Sequence, residues 1–361
     1  MVLDRISLSH FRNHVATELD DTRGFNLLVG ENGAGKTNVL EALSLLAPGR
    51  GLRRAALQEM AGGDGSHGFA IGASLSLPAA GEDVRLGTHV EPHRPGRRLV
   101  RVNGSEASAT SLGEWLAIGW LTPAMDRLFA DSAGARRRFL DRLALALDPA
   151  HARHASRYES ALRERNRLLS DEMPPDPTWL DGIEAQMAQH GSALALGRRA
   201  TVDALEQALA ALPDAPFAKP LLERDPGGPD EEDALAQALR DNRPRDRAAG
   251  RSLIGPHREE LVVTKADSGI PAAQCSTGEQ KAMLVAIILA HAERAAEGRP
   301  GILLLDEVAA HLDPVRRTAL FDRLRAGGSQ VWLTGTELAP FADIRAEAAV
   351  WQVGNGTVAR I

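Results

Sequence analysis

The sequence predicts an α/β fold: a parallel sheet assembled from both ends of the chain, with a helical insertion between them. Three observations carry this. The stretch Gly30-Glu31-Asn32-Gly33-Ala34-Gly35-Lys36-Thr37 fits G-x-x-x-x-G-K-[ST] and sits between a short apolar run, Phe25–Val29, and a helical pattern, Asn38–Leu46. Ile302-Leu303-Leu304-Leu305 is an aliphatic run that ends in Asp306-Glu307 and is followed by alternating helix and strand patterns, as a parallel sheet covered on both faces requires. Between these parts, Ala133–Leu212 is rich in Ala, Leu, Arg and Glu at helical spacing.

The elements follow in order. Ile6–Ser9, Thr17–Leu19 and Phe25–Val29 read as strands, and Asn38–Leu46 as a helix. Phe69–Leu77, Val84–Val90 and Leu99–Val102 are further strands, with a hairpin turn at Asn103-Gly104. The pattern changes at Thr122-Pro123. Ala133–Leu212 then divides into three helices, two of them long, at Asp148-Pro149 and at residues 173–177. Residues 225–229 (D-P-G-G-P) form a loop before a short acidic helix, Glu231–Leu239, and strand character returns at Leu261–Thr264. A helix over Thr277–Ala296, a buried strand over Ile302–Leu305, a helix over Val315–Leu324 and a strand over Gln330–Thr334 complete the α/β pattern. Val350–Val353 and Thr357–Arg360 flank Asn355-Gly356 as a hairpin. The expected domains are residues 1–122 with 251–361, and an insertion over 123–250.

The chain has 361 residues, 43% hydrophobic and 25% charged, the composition of a soluble globular protein of one large or two modest domains. It has no apolar run long enough to span a bilayer, and its first ten residues lack a signal-peptide core. A single cysteine, Cys275, excludes an internal disulfide, reads as a small buried hydrophobe, and suits a reducing cytoplasm. The formal net charge of −6 does not exclude nucleic acid, because charge is screened beyond about 8 Å at physiological salt and a local patch decides. Most basic residues are Arg, whose planar fork suits phosphate; charge alone is neutral evidence.

The glycines of residues 30–37 let backbone N–H groups turn toward a polyphosphate, and the following helix adds partial positive charge. In such a loop Lys36 reaches the β/γ-phosphates of ATP and the Thr37 hydroxyl ligates Mg²⁺. Asp306, at the tip of its strand, holds the same Mg²⁺ directly or through water, and Glu307 orients or deprotonates the attacking water. Glu307 and Lys36 are therefore the candidate catalytic residues. The alternative for Asp306-Glu307 alone is a core strand with an acidic exit.

Ser276-Thr277-Gly278-Glu279-Gln280-Lys281 opens the helix upstream of that strand. It resembles the signature motif of ABC-type ATPases; without the resemblance it is an ordinary Ser/Thr N-cap. Ala309-Ala310-His311-Leu312-Asp313 is similar to that family's D-loop. In the ABC family the signature motif closes over the partner's nucleotide and the D-loop meets the partner across the same interface, which implies that Ser276 and Gly278 contact ATP across a head-to-tail dimer.

Transport ATPases add a Gln loop and a switch histidine; neither is visible here, and Thr334 runs into Gly335-Thr336-Glu337. Instead, a full-length series of stretches resembles the bacterial RecF family of recombination mediators. They are Phe11-Arg12-Asn13, Gly49-Arg50-Gly51, Leu121-Thr122-Pro123, residues 136–141 (R-R-R-F-L-D), residues 162–169 (L-R-E-R-N-R-L-L) and Gly255-Pro256-His257-Arg258. Glu259-Glu260 and the Ala-rich D-loop depart from the family pattern. The resemblance implies an ABC-type P-loop ATPase head with a helical insertion, lobe II. It implies a slow Mg²⁺-dependent ATPase that dimerises on ATP and binds gapped, double-stranded or single-stranded DNA. It further implies work with RecR and RecO, loading of recombinase, and roles in repair, replication and the SOS damage response, in the cytoplasm and away from the membrane. Arg50, Arg53, Arg54 and Arg136–Arg138 are either phosphate contacts or solvated charge. Three other readings are a transporter energy-coupling subunit, a defence or chromosome-structuring ATPase, and a non-enzymatic ATP switch; the Asp306-Glu307 pair argues against the last.

Overall fold

The computed structural model describes residues 3–63, 65–77, 82–173, 175–213 and 215–361. Pro174, within the expected break at 173–177, lies outside them. In chain order the elements are β1 (Leu3–Phe11), β2 (His14–Leu19), β3 (Phe25–Val29), α1 (Lys36–Ser44), α2 (Leu57–Met60), β4 (Phe69–Leu77), β5 (Glu82–Val90), β6 (Arg98–Val102) and β7 (Ser105–Ala107). Then come α3 (Leu112–Trp115), β8 (Ala117–Leu121), α4 (Ala133–Leu147), α5 (Ala150–Leu169), α6 (Pro177–Ala210), β9 (Pro220–Asp225), α7 (Glu232–Asp241), α8 (Arg243–Ala249) and β10 (Glu260–Lys265). The chain closes with α9 (Thr277–Ala295), β11 (Gly301–Leu305), α10 (Pro314–Ala326), β12 (Gln330–Gly335), β13 (Ala348–Gly354) and β14 (Thr357–Arg360).

Two compact units result: Met1–Asp126 with Ile288–Ile361, and Arg127–Ile287. The boundary thus falls inside α9. Residues 251–287, expected with the head, pack in the second unit, where β10 pairs with β9.

The first unit holds two six-stranded sheets. One is antiparallel, in the order β2-β1-β4-β5-β6-β7. The other has the order β14-β13-β3-β12-β11-β8, in which β13, β3, β12, β11 and β8 are mutually parallel and β14 runs antiparallel to β13. Every residue of β3, β8, β11 and β12 is buried, which is why these strands are mostly apolar without polar alternation, their few polar residues (Asn26, Gln330, Thr334) being buried as well. Apolar side chains of both sheets and α1 share one core, including Leu8, Phe11, Leu40, Leu43 and Trp332.

In the second unit α5, α6 and α7 enclose a smaller core around Tyr158, Met187 and Leu235. Arg165, from the 162–169 stretch, is fully buried there. It bonds Glu184 (3.0 Å), Asp246 (2.6 Å), Ser252 (2.8 Å) and the Leu239 carbonyl (2.9 Å), tying α5 to α6, α7 and α8. Removing one partner of a buried ion pair strands the other, at a cost of about 3–5 kcal/mol. Arg165→Met is therefore expected to lower unfolding stability by about that amount in urea titration; an unchanged midpoint would count against the network.

Among the described residues no helix is long and apolar enough to cross a membrane.

Candidate active site

The phosphate loop is built by backbone conformations that demand glycine. Gly33 and Gly35 have φ of 83° and 115°, a region side chains avoid. A Cβ on Gly30 would lie 2.1 Å from the Val353 carbonyl oxygen. Gly35 serves as the N-cap of α1, so the helix begins at Lys36, two residues before the position expected from Asn38. Glu31, Asn32 and Gly33 are exposed at the tip; Ala34, Gly35 and Lys36 are buried. The Lys36 ammonium folds back on the loop and donates to the carbonyls of Gly30 (2.7 Å) and Glu31 (2.9 Å). Burial pulls its pKa below the ordinary lysine value, against the opposing pull of Glu307 and then Asp306.

The acid pair meets this loop through the sheet. The strand order β3-β12-β11 leaves one strand between the loop and Asp306. The Thr37 hydroxyl, in the first turn of α1, donates to both carboxylate oxygens of Asp306, at 2.9 and 3.1 Å. Residues 269 positions apart thereby present two oxygen donors side by side. Such a set fits Mg²⁺, which takes one or two protein oxygens and completes its shell with phosphates and water. Thr334, at the end of β12, donates to Asp306 (2.8 Å) and accepts from the Glu307 N–H (2.9 Å). Glu307 is a non-glycine residue at φ 54° and remains partly exposed. Sequence reasoning placed Thr334 at a strand end without a role; a buried hydroxyl on the strand between the two motifs is the signal that could have found it.

Two hairpins brace the loop. Asn13 donates to the Ala34 carbonyl (3.0 Å) and accepts from the Asn38 amide (2.7 Å). Fully buried His14 bonds the Gly35 carbonyl (3.0 Å) and Thr17 (3.0 Å), and burial holds its pKa below the usual imidazole range. From the β13–β14 turn, the Gly356 N–H donates to the Ala34 carbonyl (3.0 Å). Arg12 forks onto Glu41 at 2.9 and 2.8 Å, and Arg53 joins the same carboxylate at 2.9 Å. Glu41 is fully buried. Arg12 and Arg53 thus serve α1 in this structure, whereas Arg50 is exposed.

In the second unit Ser276, Thr277 and Gly278 are exposed at the start of α9. Ser276 and Glu279 form a reciprocal cap, with Ser276 N–H and hydroxyl donating to Glu279 (3.0 and 2.8 Å) and Glu279 N–H donating back (3.3 Å). Lys265 adds a bond to Glu279 (2.8 Å), and these contacts hold the Glu279 carboxyl near pKa 2, Lys265 first. The N-cap reading of Ser276 is thus correct as geometry. A Cβ on Gly278 would meet nothing within 4 Å. Cys275 is half-buried, with its thiol 3.7 Å from the Pro271 carbonyl, rather than the buried hydrophobe expected, because it stands at the exposed entry to α9. The side chain of D-loop residue His311 lies outside the described residues.

The arginine clusters divide in the same way. Arg136 pairs with Glu260 (2.7 Å), Arg137 donates to the Glu259 carbonyl (2.7 Å), and Arg138 is exposed. Glu259 is buried and also meets Arg198 (3.1 Å) and Arg224 (2.7 Å). His257 bonds Tyr158 (2.8 Å) and the Ser252 carbonyl (3.0 Å), and burial lowers its pKa to about 4. These residues of the family-like stretches act within the second unit as structural ties.

A glycine loop after one parallel strand and an acid pair two strands away define a P-loop ATPase head. The chain matches the family described as RecF/RecN/SMC N terminal domain over residues 2–357. It is 47% identical to the DNA replication and repair protein RecF of Mesorhizobium japonicum, covering 99% of this chain and 97% of that protein. The chain belongs to the RecF family of DNA replication and repair proteins. Two solved structures share its fold: the recombination mediator protein RecF-ATPrS in the RecFOR pathway, at TM-score 0.87 and 21% identity over 99% of this chain and 98% of that one; and RecF-ATP in the same pathway, at TM-score 0.85 and 22% identity over 100% and 97%.

Proposed function

We propose that the chain is an ATP-gated DNA clamp that works at gapped DNA and hydrolyses ATP slowly with Mg²⁺. The observation that carries the reading is the Thr37–Asp306 contact, which joins the phosphate loop to the acid pair. ATP lies along residues 30–37, taking N–H groups of the loop and the Lys36 ammonium. Thr37 and Asp306 would hold Mg²⁺, which would supply neutralisation of the phosphate charge when bound. Glu307 orients the attacking water and takes its proton.

The exposed Ser276–Gly278 turn supports a second role for a helix N-terminus. With open space at Gly278 it suits the γ-phosphate of a second copy, giving a head-to-tail homodimer around two ATP molecules. Residues 1–122 with 251–361 then act as the ATPase head and 123–250 as the insertion, with residues 251–287 carrying the signature turn for the head while packing in the second unit. At 100 times its dissociation constant, ATP contributes about 2.7 kcal/mol per site to the state that binds it. Two sites therefore shift the monomer–dimer balance strongly, and hydrolysis reopens the dimer. The RecF name of the relatives and the RecFOR pathway of the solved structures support RecR and RecO as partners, loading of recombinase onto gapped DNA, and a cytoplasmic location.

Light scattering with a saturating non-hydrolysable ATP analogue and Mg²⁺ tests this reading; the expected mass doubles. DNA affinity, compared on gapped, duplex and single-stranded substrates, is expected to rise with ATP. On duplex it should fall with salt at a log–log slope near −0.9 per phosphate contact, by an estimate of about that size. A particle that stays single with analogue and DNA present would refute the clamp.

A further inference from the structure

We infer that the last two residues of β12, Thr334 and Gly335, are the positioning pair of the ATPase site: Thr334 fixes the Glu307 backbone against Asp306, and Gly335 fixes the start of the phosphate loop. The inference rests on the proposed role of Glu307.

The strand between the two motifs, β12, pairs with both β3, which leads into the phosphate loop, and β11, which ends in the acid pair. Thr334 and Gly335 pair with Leu28 and Val29 of β3, and Leu333 pairs with Leu305 of β11. Beyond these pairs the strand reaches forward on both sides. The Gly335 carbonyl accepts the Gly30 N–H (3.2 Å), the first bond of the loop. The Thr334 hydroxyl is 1% exposed and makes a two-step chain, from the Glu307 N–H to Thr334 Oγ1 (2.9 Å) and from Thr334 to Asp306 Oδ1 (2.8 Å).

Each contact holds something that would otherwise drift. Glu307 sits at φ 54°, a region that side-chain-bearing residues leave unless a specific bond retains them. The Thr334 oxygen supplies that bond. Asp306 has a second hydroxyl donor, Thr37, but Thr37 is also a proposed metal ligand. Thr334 has no such second duty, so it keeps Asp306 oriented whichever way Thr37 turns. A side chain at Gly335 would force the buried Phe341 ring to shift, since a Cβ there would lie 2.4 Å from it. No histidine follows this strand in Gly335-Thr336-Glu337; a threonine bond stands at the point where the strand meets the acid pair.

The competing explanation is that Thr334 merely satisfies a buried hydroxyl. Full-length Thr334→Val, which keeps the shape, and Thr334→Ser, which keeps the hydroxyl, separate the two; Thr334→Ala replaces Val if Val unfolds. In nucleotide-free protein, hydrogen exchange at the Glu307 amide is expected to accelerate about tenfold or more in the Val variant and to stay near wild type in the Ser variant. With ATP, the Val variant should bind nucleotide within about twofold of wild type yet turn over about tenfold slower or worse, and Ser should restore turnover. In a Glu307→Gln background the Val change should add almost nothing, because residues acting through one another are non-additive. Wild-type exchange in the Val variant, or an undiminished effect in the Gln background, would overturn the inference. If wild type itself hydrolyses no ATP, the proposed function fails, and the exchange arm still decides the Thr334 geometry.

Discussion

Lys36→Ala is expected to abolish ATP binding and the ATP-dependent dimer with it. Lys36 is 4% exposed, its ammonium lies on two loop carbonyls, and among the described residues no carboxylate lies within bonding distance of it. Its pKa is already drawn down by burial, so a polyanion entering the loop is the partner it lacks. Charge-assisted hydrogen bonds contribute about 1.5–3 kcal/mol each. Losing two of them weakens binding by about two to four orders of magnitude. Titration with a fluorescent ATP analogue reads the affinity and light scattering the dimer. The nucleotide-free fold should be nearly unaffected, because the lost bonds go to carbonyls that can turn to water. Affinity within about threefold of wild type would remove Lys36 from the site.

Glu307→Gln is expected to bind ATP normally and accumulate as a long-lived dimer. The amide keeps the shape and the φ 54° backbone, with its N–H still on Thr334, but cannot take a proton. General-base loss costs about 10²–10⁴-fold in turnover. Steady-state phosphate release measures the first effect and scattering after dilution the second. Normal turnover would show that another group activates water.

Much of this site was legible because its residues obey local rules. The glycines of residues 30–37 declare a backbone that turns positive in φ, and the run Ile302–Leu305 declares a strand covered on both faces. Other elements were hidden by their neighbours. β8 carries a full apolar run, Ala117–Leu121, but it abuts Thr122-Pro123, where the pattern changes, and so has no strand reading in the sequence. β9 alternates poorly and begins at Pro220, so only its pairing with β10 makes it a strand. The bracing by Asn13, His14 and Gly356, and the Thr334 chain, join residues far apart in sequence; no periodicity announces such bonds. The arginines were ambiguous for the same reason. Whether Arg136 faces DNA or Glu260 depends on a strand 124 residues later.

The braced loop has a consequence for biosynthesis. Residues 30–37 leave the ribosome early, but their supports arrive with Asp306, Thr334 and finally Gly356. At about 5–20 residues per second, some 320 residues of further translation take roughly 15–60 s. For that interval the nascent chain carries a glycine-rich segment with no carboxylate beside it and no second hairpin beneath it. Until Asp306, Thr334 and Gly356 have been made, the nascent segment lacks the carboxylate and the second brace that the finished loop has.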